Sequence, residues 1–346
     1  MENLNDKRNR LWDEIHSIDS PTYHFFDSIS GEKDTLPKEN KKRRWSTALV
    51  YFIILLIFVF LVWKILENWS QVIKIERTFQ PSLLSFSIIL LITYFFSLAL
   101  LWDLITRKIG LKLPFKKALY YWFLSQLGKY VPGKIVSMMG RSYFYKKEGF
   151  RMSLTASAFL LEAIAGVISL SLLSVMLIAH DVAREVLYLF PILLLALLFL
   201  YPKMVEHIVS LLNRTVGRQP ITLRVRMRDW LLLNFLYGLN FFLLAGGAFF
   251  FFCKSILDFN EGQILFLIGA LGISGVLGMI AFFTPSGFGV REGSLFFLLC
   301  KVMPEADAAV ISVSSRLWMM CSELILIGII YSIFHFGDIF SKLAKH

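Results

Sequence analysis

The stretch LGKYVPGKIVSMMGR, residues 127–141, sets three cations, a Pro-Gly pair and two further glycines inside an apolar, aromatic neighbourhood. It cannot run on as one spanning helix, because proline lacks a backbone donor and glycine is a poor helix former. Irregular backbone at membrane depth survives only where protein or a water-filled cavity satisfies its N–H and C=O groups. The reading is therefore a broken or re-entrant segment over 118–145, next to a cavity. A second stretch, FTPSGFGVREGSLFFLLCKVM at 283–303, has the same character. A helix over 293–303 would cover only about 16 Å, half a bilayer core.

The rest of the chain supplies the membrane. Of its 346 residues 56% are hydrophobic and 18% charged, and the apolar residues fall in long blocks, which is a membrane composition. Blocks long enough to span lie at 46–66, 82–102, 153–179, 229–253, 262–283 and 308–334, with a shorter one at 186–201. The predicted fold class is an all-α polytopic membrane protein of about seven to eight transmembrane helices with two broken or re-entrant segments. Residues 1–45 read as a polar cytoplasmic tail, 46–335 as the membrane domain and 336–346 as a short C-terminal tail. The late, long first apolar run argues against a cleaved signal peptide.

Charge decides orientation and excludes some functions. The net charge of +11 comes from Lys and Arg clustered at 41–44, 107–117, 141–151 and 203–228, at the ends of apolar blocks. That distribution favours a multi-pass protein of the cell membrane with a cytoplasmic N-terminus, not a nucleic-acid binder. Cys253, Cys300 and Cys321 lie in separate apolar segments and read as packing residues, and the six histidines form no ligand pair, so no metal and no cofactor is expected. No GxxxxGK[ST] run is present for a nucleotide-driven pump.

The two broken motifs run parallel. Pro132, Gly133, Lys134 and Arg141 precede a helix with the lone acid Glu162; Pro285, Gly287, Gly289, Arg291 and Glu292 precede one with Glu323. An internal repeat would account for this, as in transporters built from repeats, although the spacings differ slightly. The first turn of a helix after each break offers free N–H groups to an anion. Lys129, Lys134, Arg141 and Arg291 would add cations for a phosphate. The alternative is an interfacial loop whose lysines snorkel to the surface.

Charges inside the spans demand partners. A carboxylate at the position of Glu162 costs about 2.5 kcal/mol or more unless it faces a cavity or a cation. Arg316 and Glu323 lie seven residues apart, near one helix face. Pairing Glu162 or Glu323 with Arg316 is one arrangement, and proton carriage by a carboxylate is another. Asn234 and Asn240 suit interhelical hydrogen bonds, and Gly269, Gly272, Gly275 and Gly278, at every third position, suit close helix packing.

At GKYVPGKIVSMMGR with ASAFLLEAIAG, and again at TPSGFGVREGSLFF, the chain resembles the transmembrane family of lysylphosphatidylglycerol synthases, also described as flippase-like. The resemblance covers roughly 45–335. It implies a lipid-translocating or lipid-handling domain, here as a free-standing member without the soluble transferase domain. By motif position it points to Pro132, Gly133, Lys134, Arg141, Glu162, Pro285, Gly287, Gly289, Arg291 and Glu292.

The leading expectation is a flippase or transporter for an anionic or modified phospholipid or a polyprenyl-phosphate-linked lipid. In it Lys129, Lys134, Arg141 and Arg291 bind the head group, while Glu162, Arg316 and Glu323 gate or couple. Two alternatives stand beside it. One is a non-transporting partner of a separate transferase; the other is an intramembrane lipid-phosphate enzyme, for which the lone acids form no convincing acid–base constellation. A homo-oligomer is compatible with each.

Overall fold

The structure is a computed structural model that describes residues 79–130, 135–182, 191–192, 194–198, 204, 207, 225–257, 261–281 and 284–343. The polar tail at 1–45, the apolar block at 46–66, most of 186–201 and Pro132, Gly133 and Lys134 lie outside the described residues. Those described form helices and connecting turns, with no strand among them.

Four helices are long and apolar enough to cross a membrane: α1 (Pro81–Ile109), α4 (Met152–Val182), α5 (Met227–Ile256) and α8 (Glu305–Leu343). Sequence fixes their ends. Pro81 opens α1, where its missing N–H costs nothing, and Gly110 closes it at φ 95°, with Arg107 and Lys108 in the last turn against the negative end of the helix dipole.

Two helical hairpins fill the space between these spans. In the first, α2 (Phe115–Gln126) continues through a 3-10 turn (Leu127–Tyr130), and α3 (Ile135–Lys147) packs back against both. Gly128 makes the return possible, because a Cβ there would sit 2.8 Å from the Ser137 backbone. In the second, α6 (Ile264–Ile280) turns at Pro285–Gly287 and packs against α7 (Val290–Leu299). Arms of 12, 13 and 10 residues reach only about 15–20 Å at 1.5 Å per residue, short of a bilayer core. The block at 262–283, predicted as a plain span, is thus the longer arm of the second hairpin. The breakers after Ile280 turn the chain back.

Lipid tails are as apolar as leucine, so helix association here rests on close packing and polar contacts. The glycine ladder of α6 supplies closeness: a Cβ at Gly269 would come within 2.9 Å of the Ser174 carbonyl on α4, and one at Gly278 within 3.2 Å of Arg291 Cβ on α7. Polar contacts join the spans too. The Ser97 hydroxyl donates to Asn240 Oδ1 at 2.5 Å, linking α1 to α5, and the Ser169 hydroxyl donates to Asn234 Oδ1 at 3.1 Å, linking α4 to α5.

The ends of α1 and α3 and the starts of α2, α4 and α5 gather at one basic end. Lys108 pairs with Asp229 at 2.8 Å and Lys117 with Glu148 at 2.9 Å, while the Tyr121 hydroxyl donates to Glu148 at 2.7 Å. Partial burial acts to raise the Glu148 carboxyl, but the Tyr121 hydroxyl and the Lys117 ammonium outweigh it and hold the group below its ordinary value. A depressed carboxylate contributes stability above the unfolded-state value near 4 and loses it as pH falls through that range. Glu148→Gln should therefore lower the melting temperature at neutral and alkaline pH, where the native carboxylate contributes, and flatten the acid side of the profile so that the two proteins converge toward low pH. An unaltered acid limb in that variant would contradict this role.

Candidate functional site

The tips of the two hairpins meet inside the protein, where the turn Leu127–Tyr130 packs against Pro285–Gly287. Next to this junction lies a cavity of about 150 Å³. Its polar lining is Lys129 and Tyr130 from the first tip, Ser286 and Arg291 from the second hairpin, Arg316 and Glu323 from α8, and Tyr94 from α1. Phe95, Leu98, Leu170, Phe241, Ala245, Leu271, Gly275, Met279, Met319 and Met320 complete its apolar wall. At about 10–15 Å³ per water, it has room for on the order of ten waters.

Backbone strain shapes the second tip. Ser286 takes φ 51°, Gly287 φ 74° and Gly289 φ 82°. Two side chains hold this irregular backbone. Glu292 Oε2 accepts the Gly289 N–H at 2.6 Å, as the acid of a capping box opening α7. Arg316 donates from Nη2 to the Ser286 carbonyl at 3.2 Å, lies 4.4 Å over the Phe288 ring, and pairs with Glu292 across 3.4 Å without hydrogen-bond geometry. Glu292 and Arg316 thus build the tip, and Arg316 also borders the cavity.

The first tip is tied to α8 instead. Lys129 Nζ donates to Glu323 Oε1 at 2.5 Å and the Tyr130 hydroxyl to Glu323 Oε2 at 2.6 Å. The Glu323 side chain is 3% exposed and that of Lys129 28%. Arg291 is placed differently from every other cation of the site. It has no carboxylate within ion-pair reach among the described residues, and its Nη2 rests 2.7 Å from Met319 Sδ, a weak acceptor.

Arg141 and Glu162 form a separate cluster that does not line the cavity. The Arg141 guanidinium is 1% exposed, bonds to Glu162 Oε2 and donates to Ser125 Oγ at 3.0 Å. Its carbon stands 4.2 Å over the Trp102 ring, 5.0 Å over Phe159 and 5.5 Å over Trp122, and the Trp122 indole donates to Glu162 Oε1 at 3.0 Å. The pairing of Arg316 with Glu162 or Glu323, one of the arrangements open from sequence, is not the one formed. Each acid takes the nearer cation, Arg141 for Glu162 and Lys129 for Glu323, and Arg316 takes Glu292.

Sequence reasoning missed Tyr94, Tyr130 and Met319 at the cavity. Tyr130 lies inside the first broken motif next to Lys129, a signal that was available. Tyr94 had none, being one aromatic in a plain span. A π turn at Phe241–Gly246 within α5 also escaped notice; Phe241 and Ala245 within it line the cavity. Such bulges recur at functional sites.

Residues 48–326 match the family model described as the lysylphosphatidylglycerol synthase TM region. The chain belongs to this family. The match covers both hairpins and the cavity but describes the membrane region, not a transferase domain. The protein is therefore a membrane protein of a family tied by name to lipid synthesis. No curated protein matches the chain.

Proposed function

We propose that the protein binds the anionic head group of a membrane lipid in the cavity between the two hairpin tips and passes it between leaflets, leaving the acyl chains in the bilayer. One observation carries the reading: Arg291, a cation on the second hairpin of the membrane domain, borders the cavity with a thioether in the place of a counter-ion. An uncompensated charge inside a membrane domain is costly, and a phosphate entering the cavity would compensate it with charge-assisted, bidentate hydrogen bonds. Lys129 and Tyr130 stand beside the cavity on the first tip, and Glu323 ties that tip to α8. Arg141 and Glu162 hold the arms of the first hairpin in place. The gathering of the basic clusters at 107–117 and 141–151 at one end supports a cell-membrane protein with that end cytoplasmic.

The test is movement of head-group-labelled anionic lipids across vesicles reconstituted with the full chain. Arg291→Ala removes hydrogen bonds to a charged group worth about 1.5–3 kcal/mol each, so movement should fall about ten- to a hundredfold while the melting temperature holds. Undiminished movement in that variant would sink the phosphate assignment, and a folded native protein that moves no lipid would sink the transport reading.

A further inference from the structure

The cavity also carries a count of charge. Among the described residues three cations line it, Lys129, Arg291 and Arg316, with one carboxylate, Glu323. Glu323 is consumed by Lys129 at 2.5 Å, and Arg316 is met from behind by the buried Glu292 at 3.4 Å. Three positive charges against two negative leave one, and it is on Arg291. In a low-dielectric interior each unbalanced charge is penalised, so the occupant that leaves none has a single negative charge.

Resting on the reading above, we propose that Glu323 is the specificity-determining residue of the site: by neutralising Lys129 it sets the ligand's charge at minus one, the charge of a phosphodiester head group, and disfavours phosphomonoesters and diphosphates. The ligand's phosphate oxygens face the Arg291 guanidinium, which offers a planar fork suited to two oxygens of one phosphate. Lys129 stays on Glu323, because withdrawing it would strand a carboxylate that is 3% exposed with only the Tyr130 hydroxyl for a partner. A second negative charge on the ligand would find no free cation among the described residues of the cavity. Glu323→Gln changes the count without changing the shape. The amide keeps the Tyr130 contact but releases the Lys129 charge, so the surplus becomes two and a dianion becomes the matching ligand.

The experiment uses the full chain in nanodiscs of zwitterionic lipid at pH 8, where a phosphomonoester, with its second ionisation near pH 6, is a dianion. Four probes are titrated by ligand-induced thermal stabilisation: short-chain phosphatidylglycerol, short-chain phosphatidic acid, a short prenyl diphosphate and inorganic phosphate. The native protein should prefer the diester over the monoester and the diphosphate by about tenfold or more, the scale of one charge-assisted hydrogen bond. Inorganic phosphate binding as well as its lipid esters would assign the site to a free anion and overturn the lipid half of the proposal. E323Q should shift the ratio of diester to monoester affinity by a similar factor toward the monoester, and R291Q should weaken all four. Equal or tighter diphosphate binding by the native protein overturns the inference, and so does an unchanged ratio in E323Q. The native ratio decides even if E323Q does not fold. A native protein that binds the probes without discrimination, while R291Q still loses them, removes this inference and leaves the proposed function standing. A native protein that binds none of them removes both.

Discussion

Arg141→Ala is expected to be among the most damaging single changes in the described part of the molecule, through loss of the fold. The guanidinium joins α3 to α4 through Glu162 and α3 to α2 through Ser125, and the rings it touches come from α1, α2 and α4. Truncation leaves the Glu162 carboxylate, 14% exposed, with the Trp122 indole and no cation, and opens a void between Trp102 and Phe159. Breaking a buried pair by removing one partner costs about 3–5 kcal/mol, most of it the stranded charge. Arg141→Lys should recover little, since an ammonium neither stacks on the indole nor reaches Ser125 and Glu162 together. Pairing Arg141→Met with Glu162→Gln should cost less than the two single changes summed, because neither charge is then left alone. Thermal unfolding of the purified chain in detergent reads all of these. A melting temperature unchanged in Arg141→Ala would show that the cluster pins nothing, and a fall equal to that of Arg291→Ala would erase the distinction between pinning and binding.

That distinction marks the boundary of what the chain discloses before its structure is known. Apolar runs of about twenty residues report hydrocarbon thickness, a one-dimensional property, so 82–102, 153–179, 229–253 and 308–334 fall within α1, α4, α5 and α8. The breakers were equally legible, because proline and glycine act on their own backbone. What they do to the preceding block was not, and 262–283 looked like a span although its chain returns through α7. Pairing was hidden for another reason. Arg316 and Glu323 share a helix face and both border the cavity, as their spacing implied, yet each is bound elsewhere. Lys129 and Glu323 meet across 194 positions, and nothing local in either residue encodes the other. Arg141 and Arg291 are the same residue type after similar breaks, and only the surrounding Trp102, Trp122 and Phe159 show that one is enclosed while the other borders open space.

Gly287→Ala tests whether the second tip is built as tightly as its backbone requires. Two independent penalties meet at this position. Its φ of 74° lies where an L side chain is strained, at about 1–3 kcal/mol, and a Cβ would stand 2.7 Å from the Cα and carbonyl oxygen of Gly278. The obstructing atoms are backbone, so no rotamer change relieves the clash, and the arms α6 and α7 must part. Overpacking of this kind adds about 1–3 kcal/mol, for a total of about 2–6 kcal/mol. Gly110→Ala separates the two penalties, because Gly110 has φ 95° but no atom within 4 Å of the place a Cβ would take. That variant should lose only the conformational share. Gly238→Ala, within α5 and with open space around it, should be neutral or slightly stabilising by helix propensity. Damage at Gly287 should also reach the site before the fold fails. Parting α6 from α7 displaces Arg291, whose Cβ lies against Gly278, and draws Ser286 away from Arg316. Anion-induced stabilisation should therefore fall in Gly287→Ala at temperatures where the helical circular dichroism is still intact. If binding and helicity were lost together, the tip and the spans would be one cooperative unit; if Gly287→Ala matched Gly110→Ala, the close approach of Gly287 to Gly278 would carry no weight in the fold.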